Sequence, residues 1–301
     1  MQKLHIALVQ LAWTGSQDSM MEQYSQLIKQ AANDGAELIC LPEFSLCPYF
    51  PGTRDRAGFK WAEPLEGGTT DLFFSNLAND LNVSIISSLF EKTRDDEFFD
   101  TAVIHTPDGN LSHYTRKVHI PSGTGYHETD FFSGDKDYPV HKLSKVNVAV
   151  PTCYDQWFPE MARICALNGA EFIFYPTAIG SEPNAPDFDS KDAWQTVMRG
   201  HAVANGVFIA AANRVGVEND VTFYGSSFIC NPLGNILVEA GRDTTEVIHA
   251  ELDAKLREQY IDLFPLIYQR KPQTYGRITE ATPTPPEGHW LREQDGFDEQ
   301  N

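Results

Sequence analysis

Residues 146–160 read VNVAVPTCYDQWFPE. Val146, Val148 and Val150 alternate as a half-buried strand does, Pro151 stops the run, and Pro159-Glu160 carries the signature of a helix N-terminus. Cys153 stands between the two. A thiol at the exit of a strand and ahead of a helix projects from the sheet near unpaired backbone N–H groups, which favour a thiolate and can hold an oxyanion. The stretch therefore predicts a nucleophile elbow with Cys153 as the attacking group. A lone cysteine at a strand end is otherwise a small buried hydrophobe, so its chemical partners must come from the rest of the chain.

The chain has 301 residues, 42% of them hydrophobic, enough for a large core in one α/β domain or two smaller ones. The opening residues, MQKLHIALVQLAW, enter an alternating strand pattern directly, without a basic segment and apolar run. No apolar stretch approaches the roughly 20 residues that span a bilayer. A cytoplasmic protein without a membrane partner is expected. The five cysteines, Cys40, Cys47, Cys153, Cys165 and Cys230, are odd in number and form no CxxC pair, so neither a disulfide framework nor a Cys-based zinc centre is expected. HExxH, GxGxxG and GxxxxGK[ST] are missing too, and no metal or other cofactor is implied. A formal net charge of −19 argues against nucleic acid as a partner and suits a cationic small molecule.

Outward from the elbow, the chain repeats itself. Leu4–Leu11 reads as a strand, Asp18–Asn33 as an amphipathic helix ended by Gly35, and Glu37–Leu41 as a second strand ending in Pro42-Glu43-Phe44. Thr70 is placed to cap a helix bearing Phe73, Phe74, Leu77 and Leu81, followed by a buried strand over Val83–Phe90. Thr101–Thr106 and Leu111–Lys117 flank the turn Pro107-Asp108-Gly109-Asn110, and a long loop, Val118–Pro139, returns to the elbow strand. After the elbow come a helix over Pro159–Asn168, the strand Phe172–Tyr175, a helix over Asp189–Asn205, the strand Val207–Asn213 and a turn at Pro232-Leu233-Gly234-Asn235. GAEFIFYP at 169–176 echoes GAELICLP at 35–42, and the second Pro-x-Gly-Asn turn echoes the first in the same order. The expected fold is α/β: a duplicated strand-helix-strand-helix-strand-hairpin unit forming a four-layer α-β-β-α sandwich over residues 1–277, with an acidic, Pro-containing tail at 278–301.

Such a sandwich brings several strand ends to one edge. Glu43, Lys117 and Cys153 all lie at strand ends, and together they supply a base for the thiol proton, a cation for an oxyanion and a nucleophile. These residues, with YHE at 126–128, CYDQWFPE at 153–160, YPTAIGSEP at 175–183 and FYGSSFI at 223–229, resemble the nitrilase, or carbon–nitrogen hydrolase, superfamily over nearly the whole chain. The motifs look most like those of its branch acting on N-carbamoylputrescine. That resemblance implies a thiol-dependent amidohydrolase with Glu43 as general base, Lys117 as oxyanion and positioning group, Cys153 as nucleophile and Glu128 as a second active-site glutamate. It also implies a homo-oligomer. The loop departs from the family pattern, with Ser122-Gly123-Thr124 before Tyr126 and Thr129-Asp130 after Glu128, and Pro151-Thr152 precedes the cysteine.

For the substrate, Tyr154 and Trp157 follow the nucleophile, and no arginine stands there to hold a carboxylate. Acidic residues instead follow Pro176, with Glu182 the expected partner of a protonated amine at the far end of a carbamoyl or amide substrate. Other readings stay open in the sequence: another ω-amide, β-ureido acid or nitrile as substrate, a Cys-His hydrolase using His119, His127 or His201, or an idle scaffold of the same fold.

Overall fold

The computed structural model describes residues 3–109, 113–144, 146–283 and 285. These divide after Phe264 into two units, so the first ends before the boundary at 277 that composition suggested. In its first half, β1 (Lys3–Gln10), α1 (Gln17–Asn33), β2 (Leu38–Cys40), α2 (Thr69–Leu81), β3 (Ser84–Lys92), β4 (Phe98–His105) and β5 (Tyr114–Arg116) follow one another. The second half runs β6 (His141–Lys142), β7 (Asn147–Ala149), α3 (Pro159–Leu167), β8 (Phe172–Pro176), α4 (Lys191–Asn205) and β9 (Phe208–Ala212). A separate ribbon of β10 (Val215–Glu218) and β11 (Val221–Tyr224) precedes β12 (Phe228–Cys230), β13 (Ile236–Glu239), β14 (Glu246–Asp253) and α5 (Ala254–Leu263).

One sheet has the order β14-β1-β2-β3-β4-β5 and the other β13-β12-β9-β8-β7-β6. In each, three consecutive strands are parallel (β1-β2-β3 and β7-β8-β9) and all other pairs are antiparallel. The two orders superpose strand for strand, which makes the duplication a property of the fold. The sequence echoes have a backbone cause. Gly35 and Gly169 take φ of +95° and +98° just past α1 and α3, where a left-handed residue ends a helix at little steric cost. The next residues then repeat one pattern: Ala36 N–H to Ala31 O and Ala170 N–H to Cys165 O, both at 3.0 Å. The second echo is a turn closed by Gly109 N–H on Thr106 O and by Gly234 N–H on Asn231 O.

Side-chain alternation along the strands assigns the layers. Leu4, Ile6 and Leu8 of β1 share one cluster with Leu38, Phe172, Phe174 and Phe208, the seam between the sheets. Ala7 and Val9, pointing the other way, meet Tyr24 and Ile28 of α1 and Phe74 of α2. Across the molecule, Ile173 and Ile209 meet Met161 of α3 and Trp194 and Met198 of α4. The parallel strands are buried on both faces, so they read as continuous apolar runs. The result is the expected α-β-β-α sandwich.

Local boundaries shift where a cap was misread. Gly68, not Thr70, stands at the N-cap of α2. Thr70 lies inside the first turn, where the Glu63 carboxylate receives its N–H at 3.0 Å and its hydroxyl. A carboxylate brought from an earlier turn does the work of a capping side chain. Helix α4 begins at Lys191 because the Asp189 carboxylate accepts the Lys191 N–H at 3.1 Å. The strand read at Leu111–Lys117 is Tyr114–Arg116, with residues 110–112 outside those described. Helical spacing over Tyr260–Tyr275 ends with α5 at Leu263. The second unit, from Pro265, carries two 3-10 turns, Pro272–Thr274 and Gly276–Thr279. Of the tail at 278–301, residue 284 and residues 286–301 lie outside those described.

Candidate active site

Glu43 follows β2 on a turn built by its neighbours. Phe44 adopts φ +49°, and its N–H is held by Ser88 Oγ at 3.0 Å while Ser45 N–H reaches Ser88 O at 2.9 Å. Arg214, fully buried, donates from the second half of the chain to the carbonyls of Glu43 (3.2 Å), Phe44 (2.6 Å) and Cys47 (2.5 Å) and pairs with Glu218 at 2.5 Å. Glu218 in turn accepts the Tyr49 N–H at 2.7 Å. An arginine with its rigid fork of donors suits this clasp. Replacing Arg214 with methionine would strand a buried carboxylate and three carbonyls, and a loss of about 3–5 kcal/mol is expected. Denaturant unfolding of the variant checks it. Sequence reading missed Arg214, because an arginine after the apolar strand FIAAA reads as an ordinary charge at a strand end.

Lys117, just past β5, is fixed by its N–H on Asp100 O at 2.9 Å. Its ammonium meets Glu128 at 2.5 Å, Glu43 at 2.8 Å and Asp100 at 3.3 Å, and all four side chains are wholly buried. The three carboxylates converge closely enough to hold a cation, and the ammonium supplies one. Glu128 sits on a 3-10 turn, Glu128–Asp130, and also accepts the Tyr49 hydroxyl at 2.8 Å. The atypical loop thus delivers Glu128 into the interior. Burial pushes the Glu43 carboxyl well above the usual carboxylate range; Lys117 pulls it back, and Asp100 and Glu128 push it further. Burial likewise raises Glu128, against the pull of Lys117. On Lys117 burial acts downward, but Glu128, Glu43 and Cys153 outweigh it and hold the ammonium well above its ordinary value. Asp100 was not among the expected site residues, because within FFDTAVIH it reads as a chance polar position in a strand.

Cys153 opens a 3-10 turn, Cys153–Trp157, between β7 and α3, so the elbow has one more turn than a direct strand-to-helix passage. Its φ is +40°, a left-handed backbone that costs a β-carbon-bearing residue about 1–2 kcal/mol and is tolerated where the surroundings over-determine it. Those surroundings centre on Asp155, which accepts the Thr152 N–H at 3.3 Å, the His119 N–H at 2.9 Å and His119 Nδ1 at 2.8 Å. Asp155 therefore ties the segment after Lys117 to the turn carrying the thiol. The first N–H bonded within the turn is that of Asp155, to Thr152 O. The Cys153 and Tyr154 N–H groups precede it, as the leading donors of a helical turn do, and are available to an incoming oxyanion. The thiol is 6% exposed and lies 3.7 Å from Ala178 O. Burial raises its pKa well above the ordinary value, Glu43 adds to this and Lys117 opposes it, so the resting sulfur keeps its proton.

Around this centre, Tyr154 is partly exposed, edge-on to Phe158. Trp157 packs against the apolar cluster of the second sheet, which makes it a wall of the core. Tyr126 brackets the next segment, its hydroxyl donating to Ser181 O at 3.0 Å and accepting Gly180 N–H at 3.2 Å. Glu182 is half-buried and burial raises its carboxyl. No cation pairs with Glu182 among the described residues. It acts electrostatically on Tyr126, Tyr154 and Tyr224, all three also sensing Cys153. The histidines are engaged elsewhere: His119 with Asp155 and stacked on Phe158, His201 on Gln156 O at 3.0 Å, and His127 on a loop beside Arg54. A Cys-His pairing gains no support from them.

Comparison with known proteins agrees with this geometry. Residues 5–262 match the carbon-nitrogen hydrolase family. A citrullinase from Francisella tularensis is 38% identical over 283 residues, covering 92% of this chain and 99% of that protein. An N-carbamoylputrescine amidase from Oryza sativa is 36% identical over 282 residues, covering 91% and 93%. The crystal structure of a carbon-nitrogen hydrolase from Helicobacter pylori G27 superposes with a TM-score of 0.87 at 34% identity, covering 93% of this chain and 99% of that one. The chain belongs to the carbon-nitrogen hydrolase family of the nitrilase superfamily and is an amidohydrolase of that family.

Proposed function

We propose that the protein hydrolyses N-carbamoylputrescine to putrescine, CO2 and ammonia through a covalent intermediate on Cys153. The observation that carries this is the convergence of a buried thiol with Glu43 and Lys117, where Lys117 is shared between Glu43 and Glu128. Glu43 takes the thiol proton as sulfur attacks the carbamoyl carbon; an unassisted thiol is only a few per cent ionised at neutral pH. Lys117 Nζ and the Tyr154 N–H hold the oxyanion. The departing nitrogen leaves with the proton from Glu43, which then activates the water that hydrolyses the thioester. The carbamate so released breaks down to CO2 and the second nitrogen product. Glu128 holds Lys117 in place.

Glu182, half-buried and paired with no cation among the described residues, is the proposed partner of the terminal ammonium, with Tyr154 beside it. A cavity of about 230 Å³ is lined by Ser181, Asp187, Phe188, Asp189, Tyr224 and Arg242. Arg242 pairs with Asp189 at 2.9 Å and lies over the Tyr224 ring. Citrulline is the second reading, supported by the Francisella relative and by Arg242 as a cation for an α-carboxylate. Asp187 and Asp189 outnumber Arg242 there, which favours a plain ammonium. The reading includes a cytoplasmic homo-oligomer, and Leu263 and Phe264 at the end of α5 offer exposed apolar surface for it.

The test is ammonia release from N-carbamoylputrescine, citrulline, N-carbamoyl-β-alanine and a simple ω-amide. Preference for N-carbamoylputrescine is expected, together with a KM raised about tenfold or more in Glu182→Gln, the loss of one charge-assisted hydrogen bond. Preference for citrulline would displace the amine reading, and an unchanged KM would return Glu182 to an ordinary solvated loop acid.

A further inference from the structure

Four groups that can carry negative charge, Glu43, Asp100, Glu128 and the Cys153 thiol, surround the single Lys117 ammonium. The three carboxylates have no solvent exposure. Were all three ionised, the cluster would bury a net negative charge, since Arg214, which reaches the Glu43 carbonyl, is already paired with Glu218, and interiors do not sustain such a charge. Like carboxylates in contact resolve this by sharing a proton.

The geometry points to where that proton lies. Lys117 binds Glu43 through Oε1, and Ser88 donates to Asp100 through Oδ1 at 3.0 Å. Glu43 Oε2 and Asp100 Oδ2 remain, both buried and both without a hydrogen-bond partner so long as neither carboxyl carries a proton. The two carboxyls present oxygens within 4.8 Å of one another. We infer that Glu43 and Asp100 hold one proton between these oxygens, and that Asp100 is a positioning residue that sets the pH at which Glu43 becomes a base. Asp100 also steadies both partners. Its Oδ2 is 3.3 Å from Lys117 Nζ, and Ser88, which donates to it, accepts the N–H of Phe44 in the turn that carries Glu43. The inference rests on Glu43 acting as the base toward Cys153.

The groups facing Glu43 are Lys117 after β5, Asp100 of β4, Glu128 of the loop turn and the Cys153 thiol. Asp100→Asn removes one negative charge from this ring and gives Glu43 Oε2 an amide donor. Both changes favour the ionised Glu43, so the base form survives to lower pH. The experiment is the pH dependence of Cys153 alkylation by iodoacetamide, with Cys153→Ala as blank, alongside kcat/KM for ammonia release. The acid limb of both profiles is expected to move down by about one unit or more in Asp100→Asn. Ser88→Ala serves as a second variant of the same sign. Without that donor the Asp100 carboxylate loses stabilisation, the shared proton rests on Asp100, Glu43 is left ionised, and the limb again moves down. Limbs that stay in place while the plateau falls would overturn the shared proton and leave Asp100 a mere prop for Lys117. Alkylation needs no substrate. A shifted alkylation limb in a protein that hydrolyses no ureido compound would sink the proposed substrate and keep the carboxyl pair.

Discussion

Cys153→Ala is expected to abolish ammonia release, with turnover falling by about four orders of magnitude or more, as when the nucleophile of a covalent mechanism is deleted. Fold and stability should hardly change. The thiol makes one weak contact, to Ala178 O, and its loss leaves only a small void. The left-handed backbone at φ +40° is as strained for alanine as for cysteine, so that cost does not alter, and the unfolding free energy should stay within about 1 kcal/mol of the parent. The measurement pairs a turnover assay with a denaturation curve. A variant that keeps turning over would end the covalent scheme. One that loses activity because it no longer folds would leave the role of the sulfur to mass spectrometry of a trapped acyl-enzyme.

Lys117→Met is expected to be costly in both activity and stability. It removes the one ammonium that pairs, among the described residues, with three buried carboxylates, and breaking such a cluster costs about 3–5 kcal/mol. The pH dependence identifies the cause. Lys117 is the group that opposes the rise burial imposes on the Glu43 and Glu128 carboxyls, so without it both keep their protons to still higher pH when folded. The unfolded chain releases those protons above about pH 4.3. Over that window the folded state binds more protons than the unfolded one, and stability falls as pH rises. Because burial already raises both carboxyls in the parent, the extra deficit of Lys117→Met opens only where the parent's own carboxyls release their protons, and it widens from there as pH rises. Melting temperatures across that range check it; a deficit independent of pH would mean that lost packing, not stranded charge, is responsible. The ammonium of the parent is held well above its ordinary value and stays charged throughout, so it adds no slope of its own.

The chain announced its layered, duplicated fold because the cues are local. Glycine at 35 and 169 is needed to end two helices in the left-handed region, and doubly buried parallel strands must be apolar along their length, whatever lies above and below them. Glu43, Lys117, Glu128 and Cys153 were legible for a related reason: each follows a recognisable strand or motif, and reactive residue types at such places are few. Their meeting at one edge was expected, but the sharing of one ammonium among three carboxylates was not legible, since it joins residues as far as 74 positions apart. Asp100, Arg214 and Ser88 were invisible as site residues. An aspartate in a strand, an arginine after one and a serine within one have no local signature, and only burial without solvent turns them into obligatory partners of neighbouring charges. Trp157, expected at the substrate, is partly buried against the apolar cluster of the second sheet, because an aromatic residue beside a nucleophile can face either side of its turn. Sequence by itself determined the elements, their repetition and the kinds of reactive group. The tertiary structure alone decided which charges share an interior, because electrostatic energy depends on distance and desolvation, and neither is written along the chain.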